Sequence, residues 1–295
     1  MFAVAFTAVI SVLLILIFII KEALPVLFNA EIKSEANFRE FFLKTVWQPV
    51  SEPPKYSLLP LIVGTLKTSI VAVIIATPLG IASALFISEV APSWMREMVK
   101  PAVELLAGIP SVVVGFFCLM QVASWLSHVF QIGWLESALT PHRLNALVGG
   151  IGISLAVVPI VFTLAEDALR GVPQSYRLAS LALGATQWQT ALRVVAPAAM
   201  PGLIAGTLLG FGRAWGETMI ALMATGNAPL LDFNIFHSTR TMAATIGAEM
   251  AEVVWGSSHY HTLFFIGALL LIVSFIINII AQNAVMRLQK RLAGG

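Results

Sequence analysis

Six apolar stretches of about twenty residues constrain this chain more than any other feature of its sequence. They are residues 2–20, 58–87, 105–126, 144–165, 200–224 and 263–281. An α-helix rises 1.5 Å per residue, so about twenty residues cross the roughly 30 Å hydrocarbon layer of a bilayer. A spanning segment must satisfy its own backbone hydrogen bonds, which favours helices. The pattern therefore predicts an all-α, polytopic membrane bundle of about six transmembrane helices.

The composition agrees with lipid as the main solvent. Hydrophobic residues make up 58% of the 295 positions and charged residues only 11%, whereas a soluble domain is about one quarter charged. The net charge of +2 and the lack of a Lys/Arg run argue against nucleic-acid binding. Cys118 is the single cysteine, which excludes an intramolecular disulfide and a cysteine-rich zinc site. A soluble enzyme is therefore not expected.

Loop charges indicate the orientation of the bundle. With six spans, both termini lie on the same side of the membrane. Lys and Arg are almost evenly divided between the two sides, but the side opposite the termini has longer loops with many acids, such as Glu35 and Glu249. Because basic residues are denser in cytoplasmic loops, both termini are predicted to be cytoplasmic.

The spans and loops divide the chain into three parts. Residues 1–57 are predicted to hold the first transmembrane helix and an external loop. Residues 58–284 form a core of five transmembrane helices, and residues 285–295 form a cytoplasmic tail. After the fifth span, residues 239–254 are expected to form an external helix whose apolar side suits packing on the bundle or on a partner. That side consists of Met242, Ile246, Met250 and Val253.

The connection between the fourth and fifth spans, residues 166–199, is too polar to span and too regular for a linker. Apolar residues recur at helical spacing on both sides of Gly184, and a glycine lets one helix end and another begin. The pattern predicts a helix–turn–helix on the cytoplasmic surface. Its apolar face either docks a partner or covers the base of the bundle, and the pattern favours neither.

This loop resembles the EAA loop of ABC-importer permeases, in which Glu-Ala-Ala is followed by three residues, Gly, nine residues and Ile-x-Leu-Pro. Leu178, Ala179 and Ser180 stand at the first triplet. Gly184 stands at the glycine and Pro197 at the final proline, so both spacings are kept. The resemblance implies that these residues couple the permease to an ATPase. Because Leu178 replaces the glutamate, shape is expected to matter more than charge there.

Longer motifs resemble the PstC-type permeases of phosphate importers. They are ELLAGIPSVVVGFF at 104–117, TPLGIASALFISE at 77–89, GFGRAWGETMIALMATGN at 210–227 and TMAATIGAEM at 241–250. The resemblance implies the type I ABC-importer permease fold and a place in the bacterial inner membrane. It also implies a heterodimer with a PstA-type permease, two copies of a PstB-type ATPase and an external PstS-type phosphate-binding protein.

No P-loop pattern, Gly-x4-Gly-Lys-Ser/Thr, occurs in the sequence. ATP and its Mg²⁺ are therefore expected in the partner ATPase, while this chain is expected to hold no cofactor and to be no enzyme. The function that the resemblance implies is the membrane path of an ATP-driven phosphate importer.

Two charged residues in the fifth span are predicted to line the path of the substrate. Arg213 and Glu217 are four residues apart and share a helix face. Arg213 lies twelve residues after Pro201, about 18 Å along the axis and near mid-bilayer. An intramembrane charge costs at least ~2.5 kcal/mol, so each needs a partner, a wet cavity or a task. A guanidinium fork suits an oxyanion, and Glu217 would neutralise it in an empty path. The alternative is an ion pair that fixes helix packing.

Two further residues are weaker candidates for the path. Lys67 either lines the path or extends toward the membrane surface. Ser111, beside Pro110, either donates to an anion or bonds its own backbone. His259 and His261 lack a third ligand nearby, so no metal site is predicted and the loop histidines are expected to be solvated. No catalytic constellation is predicted.

Two other functions compete with phosphate import. Because the EAA loop is shared among importers, the chain is alternatively a permease for another oxyanion such as molybdate, tungstate or sulfate. From a different class, it is a membrane scaffold or sensor subunit that docks a cytoplasmic partner without moving solute. A scaffold does not require the mid-membrane pair of Arg213 and Glu217.

Overall fold

The structure is a computed structural model, and it describes residues 2–29, 32, 35–36, 38–130 and 140–293. Within these residues, six helices are long and apolar enough to cross a membrane. In chain order they are the first to sixth spans: Phe6–Phe28, Leu59–Glu89, Ser111–Phe130, Ala146–Arg170, Gln187–Trp215 and Ser258–Asn283. The prediction of an all-α bundle with about six spans is confirmed.

The described elements follow one another as fifteen helices, two π-helical turns and one short hairpin. They are α1 Phe2–Ala23, α2 Pro25–Phe28, α3 Phe38–Leu43, β1 Trp47–Gln48, β2 Lys55–Tyr56, α4 Leu59–Glu89, α5 Ser93–Ala107, α6 Ser111–Phe117, the π turn Cys118–Val122, α7 Ala123–Phe130, α8 Ala146–Arg170, α9 Gln174–Ala182, α10 Gln187–Thr190, the π turn Ala191–Val195, α11 Ala196–Ala198, α12 Met200–Trp215, α13 Met219–Ala224, α14 Met242–Glu249 and α15 Ser258–Ala293.

The second and fourth spans, α4 and α8, pack side by side in the same direction at the centre of the bundle. A Cβ on Gly150 of α8 would lie 2.4 Å from Cγ1 of Val71, and a Cβ on Gly80 of α4 would lie 2.8 Å from Cγ1 of Val161. Both glycines therefore let the backbones approach more closely than a side chain would allow. Because lipid tails are as apolar as the helices, such van der Waals contact is what holds the spans together.

The fifth span packs antiparallel against α8. A Cβ on Gly210 of α12 would lie 2.9 Å from Cγ1 of Val157, and one on Gly202 would lie 2.2 Å from Cβ of Ala168. As the residue number rises along α12, the number of the residue that it contacts in α8 falls, so the two helices are antiparallel. We call the end of the bundle at which α4 begins the Leu59 end, and the end at which α8 finishes the Arg170 end.

The fifth span is interrupted where the sequence predicts one helix over residues 200–224. Helix α12 ends at Trp215, and the short helix α13 begins only at Met219. Gly210 contacts Val157, the twelfth of the 25 residues in α8, so the break lies near the middle of the bundle. A helix break at membrane depth is tolerated where the freed backbone is buried in protein or lines a cavity.

The helical part of the fifth span also begins earlier than predicted. Thr186 caps α10: its side chain accepts a hydrogen bond from the backbone N–H of Gln189, and the Gln189 side chain accepts one from the N–H of Thr186. This reciprocal capping box satisfies two donors that would otherwise lack partners. The span therefore starts at Gln187, inside the predicted loop 166–199.

The helix predicted at residues 239–254 is present but shorter, as α14. Its predicted apolar side packs on a buried cluster that includes Leu58, Trp215 and Leu263 from three different spans or their ends. The residues of that side in contact with the cluster are Met242, Ile246, Met250 and Val253. Of the two alternatives predicted for this side, the bundle or a partner, the structure shows packing on the bundle.

An aromatic and polar cap closes the bundle near α14. Trp47 pairs with Tyr56 across the hairpin and donates from Nε1 to Oε1 of Glu249 at 3.3 Å. Glu249 forms ion pairs with Arg240 at 2.6 Å and His259 at 3.2 Å. Burial opposes ionisation of Glu249, but His259, Arg240 and Trp47 together hold the pKa of this carboxyl below its ordinary value. The expectation of a solvated His259 is wrong because its ring stacks on Tyr56.

The sixth span continues as one helix beyond the predicted membrane segment. Helix α15 runs from Ser258 to Ala293, so residues 285–293, predicted as a tail, are helical. The first span lies against it, and the rings of Phe18 and Phe264 meet edge to face at 5.5 Å between centroids.

The packing of α4 on α8 makes a prediction about glycine substitutions. Gly150→Ala should lower the thermal midpoint of the purified protein, because its methyl group meets Val71 and overpacking costs about 1–3 kcal/mol. Gly212→Ala is the matched control, since no atom lies within 4 Å of its Cβ position. Circular dichroism in detergent measures both midpoints. Equal midpoints for the two variants would contradict the assignment of this contact as the centre of the bundle.

Candidate functional site

Arg213 and Glu217 form an ion pair across the break in the fifth span. Arg213 lies in the last turn of α12, where a cation is favoured by the helix dipole. Glu217 follows the end of that helix, and its Oε2 is 3.5 Å from Nη2 of Arg213. The Glu217 side chain is 4% exposed, whereas that of Arg213 is 49% exposed. A half-exposed guanidinium is therefore backed by a buried counter-charge.

The surface next to Arg213 is open. A Cβ on Gly212 would meet no atom within 4 Å, and one on Gly216 would only reach a carbonyl of its own helix at 4.0 Å. Among the described residues, the Arg213 guanidinium forms an ion pair with Glu217. Arginine has five N–H donors, so this one ion pair leaves donors of Arg213 for a further acceptor. Because Gly210 marks the middle of the bundle, these donors lie about one helical turn from its mid-depth.

Lys67 lies apart from this pair and is held by protein acceptors. Its Nζ donates to Oδ1 of Asp232 at 3.1 Å and to the carbonyl oxygens of Asp232 at 3.2 Å and Asn234 at 2.9 Å. Three ammonium donors thus meet three acceptors. Thr68, the next residue, is close to Gly149 at the start of α8, which places Lys67 near the Leu59 end.

Asp232 links Lys67 to two histidines that were predicted to be solvated. His237 Nδ1 is 2.7 Å from Oδ2 of Asp232, and the rings of His237 and His142 stack with centroids 5.0 Å apart. His142 Nδ1 accepts a hydrogen bond from the N–H of Ser238. Burial opposes ionisation of Asp232, but hydrogen bonds from His237 and Lys67 lower its pKa. A lysine inside an apolar span indicates that an anionic partner compensates its charge, yet nothing in the sequence identifies Asp232 as that partner.

Ser111 lies on the side of the third span that faces the break. It is the first residue of α6, directly after Pro110. Gly115 is one turn later on the same helix face, and its Cβ would lie 3.2 Å from the carbonyl oxygen of Met219 in α13. The structure therefore brings Ser111 toward the element that follows Glu217, whereas the acceptors of Lys67 are Asp232 and Asn234.

The loop 166–199 is a helix–turn–helix, as predicted from its glycine and its apolar spacing. Helix α9 carries Leu178, Ala179 and Ser180, and Gly184 makes the turn with φ of +86°. This left-handed conformation favours glycine because other residues place Cβ against the carbonyl. Ser180 Oγ lies 2.9 Å from Oγ1 of Thr190 and ties the two helices together.

Apolar side chains of this loop remain exposed in the isolated chain. Leu178 is 58% exposed and Leu183 is 91% exposed, and Tyr176 and Trp188 are also exposed. Pro197 is exposed as well, within the short helix α11. Of the two alternatives for the apolar face, the exposure of these side chains favours docking of a partner over covering the base of the bundle.

An ion pair that the sequence did not reveal fastens the loop to the second span. Arg177 of α9 donates from Nε to Oε2 of Glu89 at 2.9 Å and from Nη2 to Oε1 at 2.8 Å. The same guanidinium donates to the carbonyl oxygens of Val172 and Leu169. A bidentate pair of this kind fixes both distance and orientation. In the sequence, the carboxylate of Glu89 at the end of an apolar span indicates that a cationic partner is needed. Its partner, Arg177, is 88 residues away and is not identified by any local pattern.

Glu166 is a second buried carboxylate at this end of the bundle. The sequence predicts that Glu166 begins the loop. In the structure, α8 continues to Arg170, and the Glu166 side chain is fully buried. Its carboxylate forms ion pairs with Lys100 at 2.9 Å and with Arg170. Two cations around one buried anion compensate its loss of hydration.

Comparison with known proteins agrees with this architecture. Residues 76–293 match the family model described as binding-protein-dependent transport system inner membrane component. The chain is 38% identical over 237 residues to the probable ABC transporter permease protein YqgH of Bacillus subtilis (strain 168), covering 80% of this chain and 74% of that protein.

Two further relatives carry a phosphate transport name. The chain is 31% identical over 292 residues to the phosphate transport system permease protein PstC of Xylella fastidiosa (strain 9a5c), covering 95% of this chain and 89% of that protein. It is 34% identical over 282 residues to the phosphate transport system permease protein PstC 1 of Mycobacterium tuberculosis (strain ATCC 25618 / H37Rv), covering 86% and 83%.

Solved structures show the same fold at low sequence identity. A bacterial ABC transporter involved in the import of the acidic polysaccharide alginate matches with a TM-score of 0.59 at 16% identity, covering 97% of this chain and 96% of the other. The inward-facing MetNI methionine ABC transporter matches with a TM-score of 0.53 at 18% identity, covering 78% and 94%.

The Glu89–Arg177 pair makes a prediction about the motion of the loop. Glu89→Gln should increase amide hydrogen exchange in α9, because a charge-assisted bidentate contact worth roughly 1.5–3 kcal/mol per bond is lost. Hydrogen exchange followed by mass spectrometry measures this in lipid nanodiscs. Glu97→Gln, an exposed substitution on α5, is the control and should leave the exchange unchanged. Unchanged exchange in both variants would show that the pair does not fasten the loop.

Proposed function

Because the chain belongs to the family of binding-protein-dependent transport system inner membrane components, we propose that it is the PstC-type permease subunit of an ATP-driven phosphate importer. The observation that carries this proposal is the pair of Arg213 and Glu217 at the break in the fifth span, with its half-exposed guanidinium. The phosphate transport names of relatives at 31% and 34% identity support the same substrate.

The Arg213 guanidinium contacts the phosphate during its passage. Its planar fork of N–H donors matches two oxygens of a tetrahedral oxyanion. Its position about one turn from the mid-depth of the bundle is where a dehydrated anion most needs a counter-charge. The open surface at Gly212 leaves room for the anion beside the helix.

Glu217 keeps the site from holding phosphate too tightly. Its carboxylate neutralises Arg213 when the path is empty, so the anion competes with a built-in counter-ion and is released again. Glu217 also accepts a hydrogen bond or proton from protonated phosphate. A fully ionised sulfate has no proton to donate, which favours phosphate over sulfate at this site. Ser111 donates to the anion from the facing third span.

The loop 166–199 couples this path to ATP hydrolysis in other chains. We place the Arg170 end and both termini in the cytoplasm, where the exposed Leu178, Leu183 and Trp188 dock one of two PstB-type ATPase subunits. Those subunits hold ATP and Mg²⁺. Closure of the ATPases moves α9, and the Glu89–Arg177 pair passes that movement to the second span.

Two more partners complete the proposed importer. A PstA-type permease covers the open face of α12 beside Arg213, so that the path lies between two chains. An external PstS-type protein delivers phosphate to the Leu59 end, next to the segment that contains Asp232. The surrounding lipid covers the exposed apolar faces of the first and sixth spans, for example Ile15 and Phe275.

Substitution of Arg213 tests the substrate path. Arg213→Gln should reduce uptake of radiolabelled phosphate into vesicles by about a hundredfold or more, because two charge-assisted hydrogen bonds are lost. Arg213→Lys keeps the charge without the fork and should retain partial uptake at most. Glu217→Gln leaves the arginine unneutralised, so phosphate leaves slowly and uptake falls without vanishing.

The control for this series is Arg143→Gln, which removes an exposed arginine whose described contacts are Leu119 O and Ser124 Oγ. Its uptake should stay within about twofold of the unmodified chain, as is usual for surface positions. Co-purification of the partner subunits checks that each variant assembles. Normal uptake by an assembled Arg213→Gln complex would mean that the pair only fixes helix packing.

The turn at Gly184 tests the coupling role of the loop. Gly184→Val should leave ATP hydrolysis in the assembled complex while phosphate uptake is lost, since a β-branched residue at φ of +86° costs about 1–3 kcal/mol and shifts the turn. Ala182→Val, an exposed change at the end of α9, should keep both activities. Simultaneous measurement of ATP hydrolysis and uptake in vesicles decides, and normal uptake by Gly184→Val would remove the coupling assignment.

A further inference from the structure

A cavity of about 580 Å³ lies between the loop 166–199 and the ends of the second and fourth spans. It is at the Arg170 end and does not include Arg213 or Glu217, which lie near mid-bundle. Its volume falls within the range of roughly 300–1,000 Å³ that is typical of ligand sites.

The wall of the cavity is positively charged. Three arginines, Arg96, Arg170 and Arg177, face one carboxylate, that of Glu89. Behind the wall, Glu166 pairs with both Arg170 and Lys100, and the ammonium of Lys100 offsets the charge of this carboxylate. The residues that line this cavity therefore carry an excess of two positive charges, which favours anions inside it, while Glu97 and Glu104 lie with Arg96 and Arg170 around a neighbouring cavity.

Arg96 and Arg170 each have guanidinium N–H donors left for a ligand. Arg96 donates from Nε to the carbonyl oxygen of Ile87 and from Nη2 to that of Ser88. Arg170 is paired with Glu166 through Nε. Among the described residues no contact of Nη1 of Arg96, or of either Nη of Arg170, is recorded, whereas both Nη groups and Nε of Arg177 are bonded. The held guanidinium groups are thereby pre-oriented at little further entropic cost.

Neutral donors complete the wall from the side of the loop. Gln174 is the first residue of α9 and Gln187 the first residue of α10, and both line the cavity. Each amide has two N–H donors that suit anionic oxygens. A ligand in the cavity thus contacts α9 and α10 on one side and α5 and α8 on the other.

We propose that this cavity binds a phosphate group, either as free inorganic phosphate or as the headgroup of a phospholipid. Arginine forks and amide donors are the groups that recognise phosphate oxygens. The bound group bridges the loop to the ends of the spans, and so it holds the loop 166–199 in the position that the Glu89–Arg177 pair sets. That this site faces the cytoplasm rests on the proposed function, whereas its ability to bind phosphate does not.

The test compares two substitutions that differ by two positions in the same helix. Gln187→Glu places a negative charge in the cavity, while an acid in the first turn keeps the helix stable. Gln189→Glu makes the same charge change outside the cavity and keeps the capping box, which accepts Glu at this position. Both are made in the full chain together with Arg213→Gln, which removes phosphate binding at the proposed transport site.

One arm measures binding of radiolabelled inorganic phosphate to the chain in nanodiscs of a neutral galactolipid without phosphate. The other arm adds phosphatidylglycerol to the delipidated chain in detergent and counts bound lipid by native mass spectrometry. Gln187→Glu should weaken binding by about tenfold or more, because like charges at contact distance repel strongly in a partly buried site. Gln189→Glu should stay within about twofold.

A loss specific to Gln187→Glu supports the site, and the arm in which it occurs identifies the source of the phosphate group. Equal binding by the two variants in both arms overturns the proposal, as does binding by neither. If Gln187→Glu fails to insert, Gln174→Glu places the same charge in the cavity from α9 and replaces it. Because all variants carry Arg213→Gln, a failure here leaves the transport proposal untouched, and loss of transport leaves this result untouched.

Discussion

Close contact between the second and fourth spans determines where the other elements lie. In lipid, apolar side chains gain little by leaving the solvent, so helices associate where their backbones can approach. Gly80 and Gly150 provide that approach on α4 and α8, and Gly210 continues it on α12. The three helices therefore share one packed interior, and the mid-depth contact of Gly210 places the break of the fifth span inside that interior.

Lys67 and Arg213, two cations within the spans, have their charges compensated in different ways. Lys67 has all three donors taken by Asp232 and Asn234, so its charge is compensated within the protein and it fastens the segment after α13. Arg213 has one buried counter-charge and an open surface beside it. The buried Lys67 thus has a structural role, whereas the unfilled donors of the half-exposed Arg213 suit a transient anion.

The Arg170 end is built from buried ion pairs that join the loop to the bundle. The Glu89–Arg177 pair joins residues 88 positions apart and the Lys100–Glu166 pair joins residues 66 positions apart, while Arg170 pairs with Glu166 within α8. Such pairs add little net stability, but breaking one leaves an uncompensated charge, so they fix position strongly. A loop held in this way transmits displacement to the spans, whereas a flexible linker would absorb it.

The sequence alone determined the solvent, the number of spans, the helix–turn–helix around Gly184 and the candidate pair of Arg213 and Glu217, because hydropathy length, helical spacing and the cost of intramembrane charge are all local in the chain. Tertiary structure alone decided the break after Trp215, the partners of Lys67 and Glu89, and the cavity at the Arg170 end. The ion pairs of Lys67 and Glu89 join residues 165 and 88 positions apart, and the cavity lies between helices that are separate in the sequence. No periodicity within one segment encodes contacts that arise only when separate helices pack together.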